Sequence, residues 1–189
     1  LVIVIVTSIW MAIAWHRFVL KNEVPTGFVP PFDGNRIGAY FVRSLLIGIV
    51  LIVLGFVLGI VAGFFMIGLI GSGGGGMGTI FTITVLSLLL VYFPLFVIGY
   101  RLSTSLPGTA IDNAGTFMSG WEATAGETGA FIGLGLISVL AMVVSAVVTI
   151  FVLAKITVLF IAWTLVFNWL AVLVGLSVLT TLYGHYIEK

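Results

Sequence analysis

Two histidines are the residues in this sequence best suited to hold a cofactor. His16 and His185 each follow a long apolar stretch, and the topology derived below places both at the same membrane face. Two imidazoles at one face could ligate a haem or a chlorophyll-type pigment, because imidazole nitrogen is a common metal ligand. Both residues also neighbour aromatic side chains typical of an interface, which favours a simple interfacial role. We therefore predict no cofactor, with haem or pigment ligation as the alternative.

The remaining polar residues offer little for catalysis. Glu23 and Asp33 flank a proline-rich segment and could act as an acid–base pair. Ion pairing with nearby basic residues and turn formation account for them more simply. The sequence contains no cysteine, which excludes disulfides, thiolate metal sites and cysteine nucleophiles. It also lacks an HExxH motif and a Ser-His-Asp order. We expect that the protein is not an enzyme.

Composition explains why chemically active residues are scarce. Hydrophobic residues make up 61% of the 189 residues, charged residues only 7%, and the mean hydropathy is +1.36. Because a soluble domain carries roughly 25% charged residues, a water-soluble fold is excluded, and so is disorder. The net charge of +1 gives no basic surface for nucleic acid. We predict an all-α polytopic transmembrane helical bundle, a single integral membrane domain over residues 1–189.

Five apolar stretches are long enough, or nearly so, to cross the hydrocarbon core, which takes about 20 residues. They cover residues 1–14, 37–70, 79–100, 130–154 and 156–183. Pro94 predicts a kink in the third stretch. Lys155 marks a predicted tight turn between the last two, with one long projecting helix as the alternative. The first stretch begins without an initiator Met, so we expect the natural chain to start upstream, and one further helix would give six spans.

The basic residues determine the predicted orientation, because they collect in cytoplasmic loops. With alternating crossings, all of them except Lys155 fall on one face. That face carries the loops 16–36 and 101–129, and the glycine-rich loop 71–78 lies on the other face. The glycine-rich loop lacks the lysine and the hydroxyl residue of a phosphate-binding loop, so we predict a flexible connection.

Small and aromatic residues predict where the helices pack and where they meet the interface. Gly55, Gly59 and Gly63 recur every four residues and predict a helix–helix seam, within this chain or with another subunit, although glycine is also common in membrane helices. The predicted interfacial anchors are Trp10, Trp15 and Trp121. The spacing from Ser119 to Glu122 fits a capping box and predicts a short helix on the membrane surface.

Four short stretches carry a resemblance to a known group of proteins. They are residues 14–20 (AWHRFVL), 100–103 (YRLS), 121–126 (WEATAG) and 179–186 (LTTLYGHY). The sequence resembles uncharacterised polytopic inner-membrane proteins of alphaproteobacteria. The resemblance implies a topology and a bacterial origin but no catalytic residue. Together with the orientation, it predicts the bacterial inner membrane, with loops 16–36 and 101–129 cytoplasmic and loop 71–78 periplasmic.

The predicted function is that of a non-catalytic integral membrane subunit or assembly factor. Its partners would be the bilayer and other membrane protein subunits of a larger respiratory, photosynthetic or transport complex. The alternative is a small transporter or channel for a lipid or an apolar solute. Transport requires polar groups at membrane depth, and Asn168 is the only amide deep in a predicted span. A third hypothesis, an enzyme acting on lipid headgroups, would use His16, Glu23 or Glu122.

Overall fold

The computed structural model describes residues 2–24, 27, 29–71, 76–149 and 156–188. Its helices are α1 (Val2–Lys21), α2 (Gly34–Gly71), α3 (Met77–Ser87), a π-helix (Leu88–Tyr92), α4 (Phe93–Ser103), α5 (Leu106–Ala110), α6 (Ser119–Ala123), α7 (Thr128–Val148) and α8 (Thr157–Tyr186). The described residues contain no strand. The predicted all-α fold class is therefore confirmed.

Five helical stretches of the described residues are long and apolar enough to cross a membrane. They are α1, α2, the stretch Gly78–Ala110, α7 and α8. Each exposes many large aliphatic and aromatic side chains, as expected when lipid rather than water surrounds the helix. The prediction of a multi-pass membrane protein with about five spans is confirmed.

Two of the predicted helix ends lie outside the described residues, and one differs from the structure. The turn at Lys155 and residues 72–75 of the glycine-rich loop belong to the part of the chain that is not described. The first helix does not end near residue 14 but continues to Lys21. It can continue because His16 and Arg17 find hydrogen-bond partners in other elements, so these polar residues need not mark a helix end.

The third span contains an irregular turn just before Pro94. A π-helix covers Leu88–Tyr92, and α4 begins directly after it at Phe93. Proline lacks the N–H that an α-helix needs at this position, and its ring crowds the preceding turn. A π-turn is one of the ways in which a helix accommodates such a residue. The irregularity therefore lies where the sequence predicted a kink.

The chain divides into two compact units. The first comprises Leu1–Gly48, Tyr100–Glu127 and Trp169–Lys189, and the second comprises Ile49–Gly99 and Thr128–Asn168. We call them the polar unit and the apolar unit, because every Lys, Arg, His, Asp and Glu of the sequence except Lys155 lies in the first. The described part of the apolar unit contains none of these residues.

Within the apolar unit, glycines allow close approach of neighbouring helices. A Cβ atom placed on Gly135 would lie 2.7 Å from Val97 Cγ2 and 3.2 Å from the Phe93 ring. A Cβ atom on Gly55 would lie 3.4 Å from Leu95 Cδ1. Packing without a hydrophobic driving force depends on such contacts, so α7 and α2 each meet α4 through a glycine.

Candidate functional site

Residues 104–127 join α4 to α7, and we call them the connecting segment. This segment belongs to the polar unit and contains the short helices α5 and α6. Side chains from α1, α2, α4 and α8 bind to it. It is therefore the place where four arginines from α1, α2 and α4 make their contacts.

Asp112 connects the connecting segment to two different helices. The guanidinium of Arg36 on α2 donates from Nε to Oδ1 and from Nη2 to Oδ2, both at 2.9 Å. Arg17 on α1 lies 3.4 Å from Oδ2 and also donates to the Ala110 carbonyl at 3.1 Å. Asp112 has a left-handed backbone with φ 63°, a conformation that Asp and Asn adopt more readily than most residues.

The surroundings of Asp112 favour its charged form. The hydrogen bonds from Arg36 hold the pKa of the Asp112 carboxyl below its usual value, and the positive charges of Arg36, Arg17 and Lys21 act in the same direction. The side chain is 53% exposed, so solvent weakens these interactions. Asp112 is therefore a structural ion-pair acceptor.

Arg43 on α2 holds the middle of the connecting segment without a carboxylate partner. It donates from Nη1 to the Gly115 carbonyl at 2.8 Å and from Nη2 to Ser105 Oγ at 3.0 Å. The Thr116 carbonyl also accepts from Nη2. In the described part of the chain no Asp or Glu lies within ion-pair distance of Arg43. Its positive charge is therefore balanced only by neutral dipoles.

Arg101 at the end of α4 is buried, with 8% of its surface exposed. Its guanidinium carbon lies 4.0 Å from the centre of the Trp121 ring, a cation–π contact. Nη2 donates to the Thr124 carbonyl at 3.1 Å, and Nε donates to Thr124 Oγ1 at 3.2 Å. Trp121 was predicted as an interfacial anchor, and the structure places its ring against this arginine.

The helix that carries Trp121 begins differently from the prediction. Met118, not Ser119, occupies the N-cap position of α6, and no side chain caps the helix. The Ser119 hydroxyl instead donates to the Thr116 carbonyl at 2.8 Å. The predicted capping box is therefore wrong. The helix instead packs closely on α4 at Gly120. A Cβ atom on this glycine would lie 2.6 Å from the Arg101 carbonyl oxygen.

His16 lies fully buried between three helices. Its Nδ1 is 2.8 Å from Thr180 Oγ1 on α8, and its Nε2 is 3.2 Å from the Tyr40 hydroxyl on α2. The Thr180 hydroxyl donates to the Leu176 carbonyl at 2.7 Å, so it accepts from Nδ1–H, and Nε2 of the neutral ring then accepts from Tyr40. Both ring nitrogens are therefore engaged within the fold.

His185, the second predicted ligand, is exposed and forms an edge-to-face contact with Tyr186 at 4.7 Å between ring centres. The contacts of His16 are with Thr180 and Tyr40 and do not include His185. Among the described residues no group of three or more His, Asp or Glu could hold a metal ion. The structure therefore places His16 in a buried hydrogen-bonded position and His185 on the surface beside Tyr186.

No family model, curated protein or solved structure matches this chain.

The other predicted site residues lie in both units. Trp10 donates from Nε1 to the Pro31 carbonyl at 3.2 Å and packs edge-to-face on Phe32. Trp15 is half-buried, and its Nε1 has no partner among the described residues. A Cβ atom on Gly59 or Gly63 would meet no described atom within 4 Å, in contrast to Gly55.

A cavity of about 240 Å³ lies beside Trp10 in the polar unit. Its charged lining residues are already paired with one another or with Asp112: Arg17 with Glu23 at 2.5 Å, and Arg36 with Asp33 at 3.1 Å. The predicted pairing of these carboxylates is thus present in the structure. Among the described residues of this cavity, both carboxylates are thus paired with an arginine.

Proposed function

We propose that this protein is a non-catalytic membrane subunit or assembly factor that packs through its apolar unit against a larger bacterial membrane complex. The observation that carries the proposal is the open face of α2 at Gly59 and Gly63, which no described residue covers within 4 Å. Neighbouring side chains such as Phe56 and Phe64 are strongly exposed. A glycine face between bulky residues is the form that lets another helix approach closely in lipid.

Asn168 provides independent support for a helix partner. It lies in the membrane-spanning part of α8, is exposed, and donates from Nδ2 to the Thr164 carbonyl of its own helix at 2.7 Å. An amide at membrane depth gains stability by bonding across to another helix. An exposed amide on an otherwise apolar unit therefore suits a contact with a second protein.

The polar unit supports a structural role. Its arginines bind the connecting segment through Asp112, backbone carbonyls and the Trp121 ring. These contacts order the connecting segment, which is what a structural role requires. We also propose that the polar unit faces the cytoplasm of a bacterial inner membrane, because all basic residues except Lys155 belong to it.

The test compares leucine substitutions at two open glycines of α2. Gly68 lies nine residues beyond Gly59, which places it half a turn round the helix, and a Cβ atom at either position meets nothing within 4 Å. We expect Gly59→Leu to lose the proteins that co-purify in mild detergent, because the side chain holds the partner helix away, whereas Gly68→Leu retains them. Equal recovery of partners with both variants would contradict the proposal.

The same preparation tests the transport alternative. We expect vesicles that contain this protein alone to show no flux of solute or lipid above protein-free vesicles. Flux that Asn168→Leu abolishes without loss of expression would instead favour a small transporter.

A further inference from the structure

A shallow groove of about 430 Å³ runs along the polar unit between the beginning of α2 and the connecting segment. Its apolar wall includes Ala39, Val42 and Leu46 on α2 and Phe117 on the connecting segment. The volume falls within the range of about 300–1,000 Å³ that is typical of small-molecule sites. The groove is separate from the cavity beside Trp10, because the two share no lining residue.

Two polar side chains in this groove have atoms without a partner. Thr109 is only 6% exposed, and its Oγ1 has no hydrogen bond among the described residues. The Nε atom of Arg43 likewise has no hydrogen bond among the described residues. Both residues line the groove. Buried polar atoms are nearly always hydrogen-bonded, and both of these atoms belong to side chains that line one groove.

The charge of the groove points in the same direction. Arg17 and Arg36 each have a carboxylate partner, whereas Arg43 binds only hydroxyl and carbonyl oxygens in the described structure. An unbalanced guanidinium attracts an anion, and phosphate oxygens suit its geometry. Because the wall beside this charge is apolar, a matching ligand would carry a hydrocarbon chain as well as the anionic group.

We propose that the groove holds an acyl chain of an anionic phospholipid, with the phosphate next to Arg43 and Thr109. The chain would cover the apolar wall, and the phosphate would supply the acceptor that the two polar side chains lack. Basic pockets between membrane helices bind lipid headgroups in this manner. This lipid site is independent of the helix-packing function proposed above, since the groove lies in the polar unit and the glycine face in the apolar unit.

The experiment titrates the full-length, delipidated protein with phosphatidylglycerol and with phosphatidylcholine, and measures bound lipid by native mass spectrometry. We expect tighter binding of phosphatidylglycerol, because only this lipid is net negative. Glycerol phosphate serves as a headgroup without acyl chains and should not compete. Equal binding of the two lipids, or competition by glycerol phosphate at similar concentration, would overturn the proposal.

Two variants locate the site. Gly38 lines the groove, and a Cβ atom there meets nothing within 4 Å. We expect Gly38→Leu to occupy part of the groove and to weaken binding about tenfold, the effect of losing two buried methylene groups. Gly48 is equally open but does not line the groove, so Gly48→Leu should bind as the wild type does. Unchanged affinity in Gly38→Leu would overturn the assignment.

Thr109→Val tests the polar end of the groove while preserving the size of the side chain. The hydroxyl has no protein partner, so its removal should leave the melting temperature of the lipid-free protein unchanged or raised. We expect weaker binding of phosphatidylglycerol in the same variant. A variant that melts normally and binds this lipid as tightly as the wild type would contradict the role of Thr109.

Discussion

Asp112 shows how one carboxylate can order a long loop. It accepts from Arg36 through two parallel hydrogen bonds of 2.9 Å and lies within ion-pair distance of Arg17. Because these two arginines belong to α1 and α2, the carboxylate holds both helices to the same point of the connecting segment. Replacing either arginine alone would leave the other pairing in place.

The lowered pKa of Asp112 predicts a pH dependence of stability. Its folded pKa lies below its unfolded value of about 3.9, so the pairing contributes fully above that value and is lost as the pH falls through the folded pKa. Asp112→Asn, which tolerates the same left-handed backbone, should unfold more easily at pH 7 by about 1 kcal/mol or less, since the pair is exposed. Thermal unfolding in detergent measures the difference.

At acidic pH the two proteins should converge in melting temperature, because the wild-type carboxyl is then neutral as well. High salt should reduce the difference at pH 7 by screening the pair. A difference that stays constant from neutral pH down to about pH 2 would argue against a charge effect.

The sequence singled out several of these residues but not their partners. His16 and Trp121 stood out by residue type, whereas the contacts His16–Thr180 and Arg101–Trp121 join positions 164 and 20 residues apart. No local pattern encodes such distant pairings. Thr180 in particular looks like any hydroxyl residue in an apolar helix, and only the folded chain shows that it accepts from His16.

At the scale of elements, α6 depends on one glycine for its position. A Cβ atom on Gly120 would lie 2.6 Å from the Arg101 carbonyl oxygen and 3.0 Å from the Ser105 nitrogen, both backbone atoms that cannot rotate away. Gly120→Ala should therefore destabilise the protein by about 1–3 kcal/mol, a typical cost of overpacking. Thermal unfolding in detergent measures this loss.

Gly126 provides the matched control for this substitution. It lies in the same connecting segment, and a Cβ atom there meets nothing within 4 Å, so Gly126→Ala should be neutral or slightly stabilising. If the two alanine variants melted together, the close contact between α6 and α4 would not determine the stability of this region.

Hydropathy was sufficient to predict the spans but not where they end. The five apolar stretches correspond to the five candidate membrane helices, because each spans the hydrocarbon by length and composition. The end of α1 was missed, since Arg17 looked like a boundary but is bonded to Glu23, Ala110 and Asp112. Because these partners lie elsewhere in the fold, Arg17 does not mark the end of α1.

At the scale of the whole molecule, the distribution of basic residues predicts the orientation in the membrane. The chain contains no cysteine, so single cysteines can be introduced at the exposed residues Gly126 and Gly76. We expect an impermeant thiol reagent to label Gly126→Cys only from the cytoplasmic side and Gly76→Cys only from the periplasmic side. Labelling in the reverse pattern would contradict the orientation.

The ion pair between Arg36 and Asp112 can form only after both residues have been synthesised. Arg36 leaves the ribosome 76 residues before the aspartate that will bind it, a delay of about 4–15 s at about 5–20 residues per second. During that interval Asp112 is not yet available to the arginine, and in the orientation proposed above Arg36 can serve the insertion machinery as a positive signal that retains its loop in the cytoplasm. In the proposed orientation, the same side chain would act first as a topological signal for the nascent chain and afterwards as a structural bond in the finished protein.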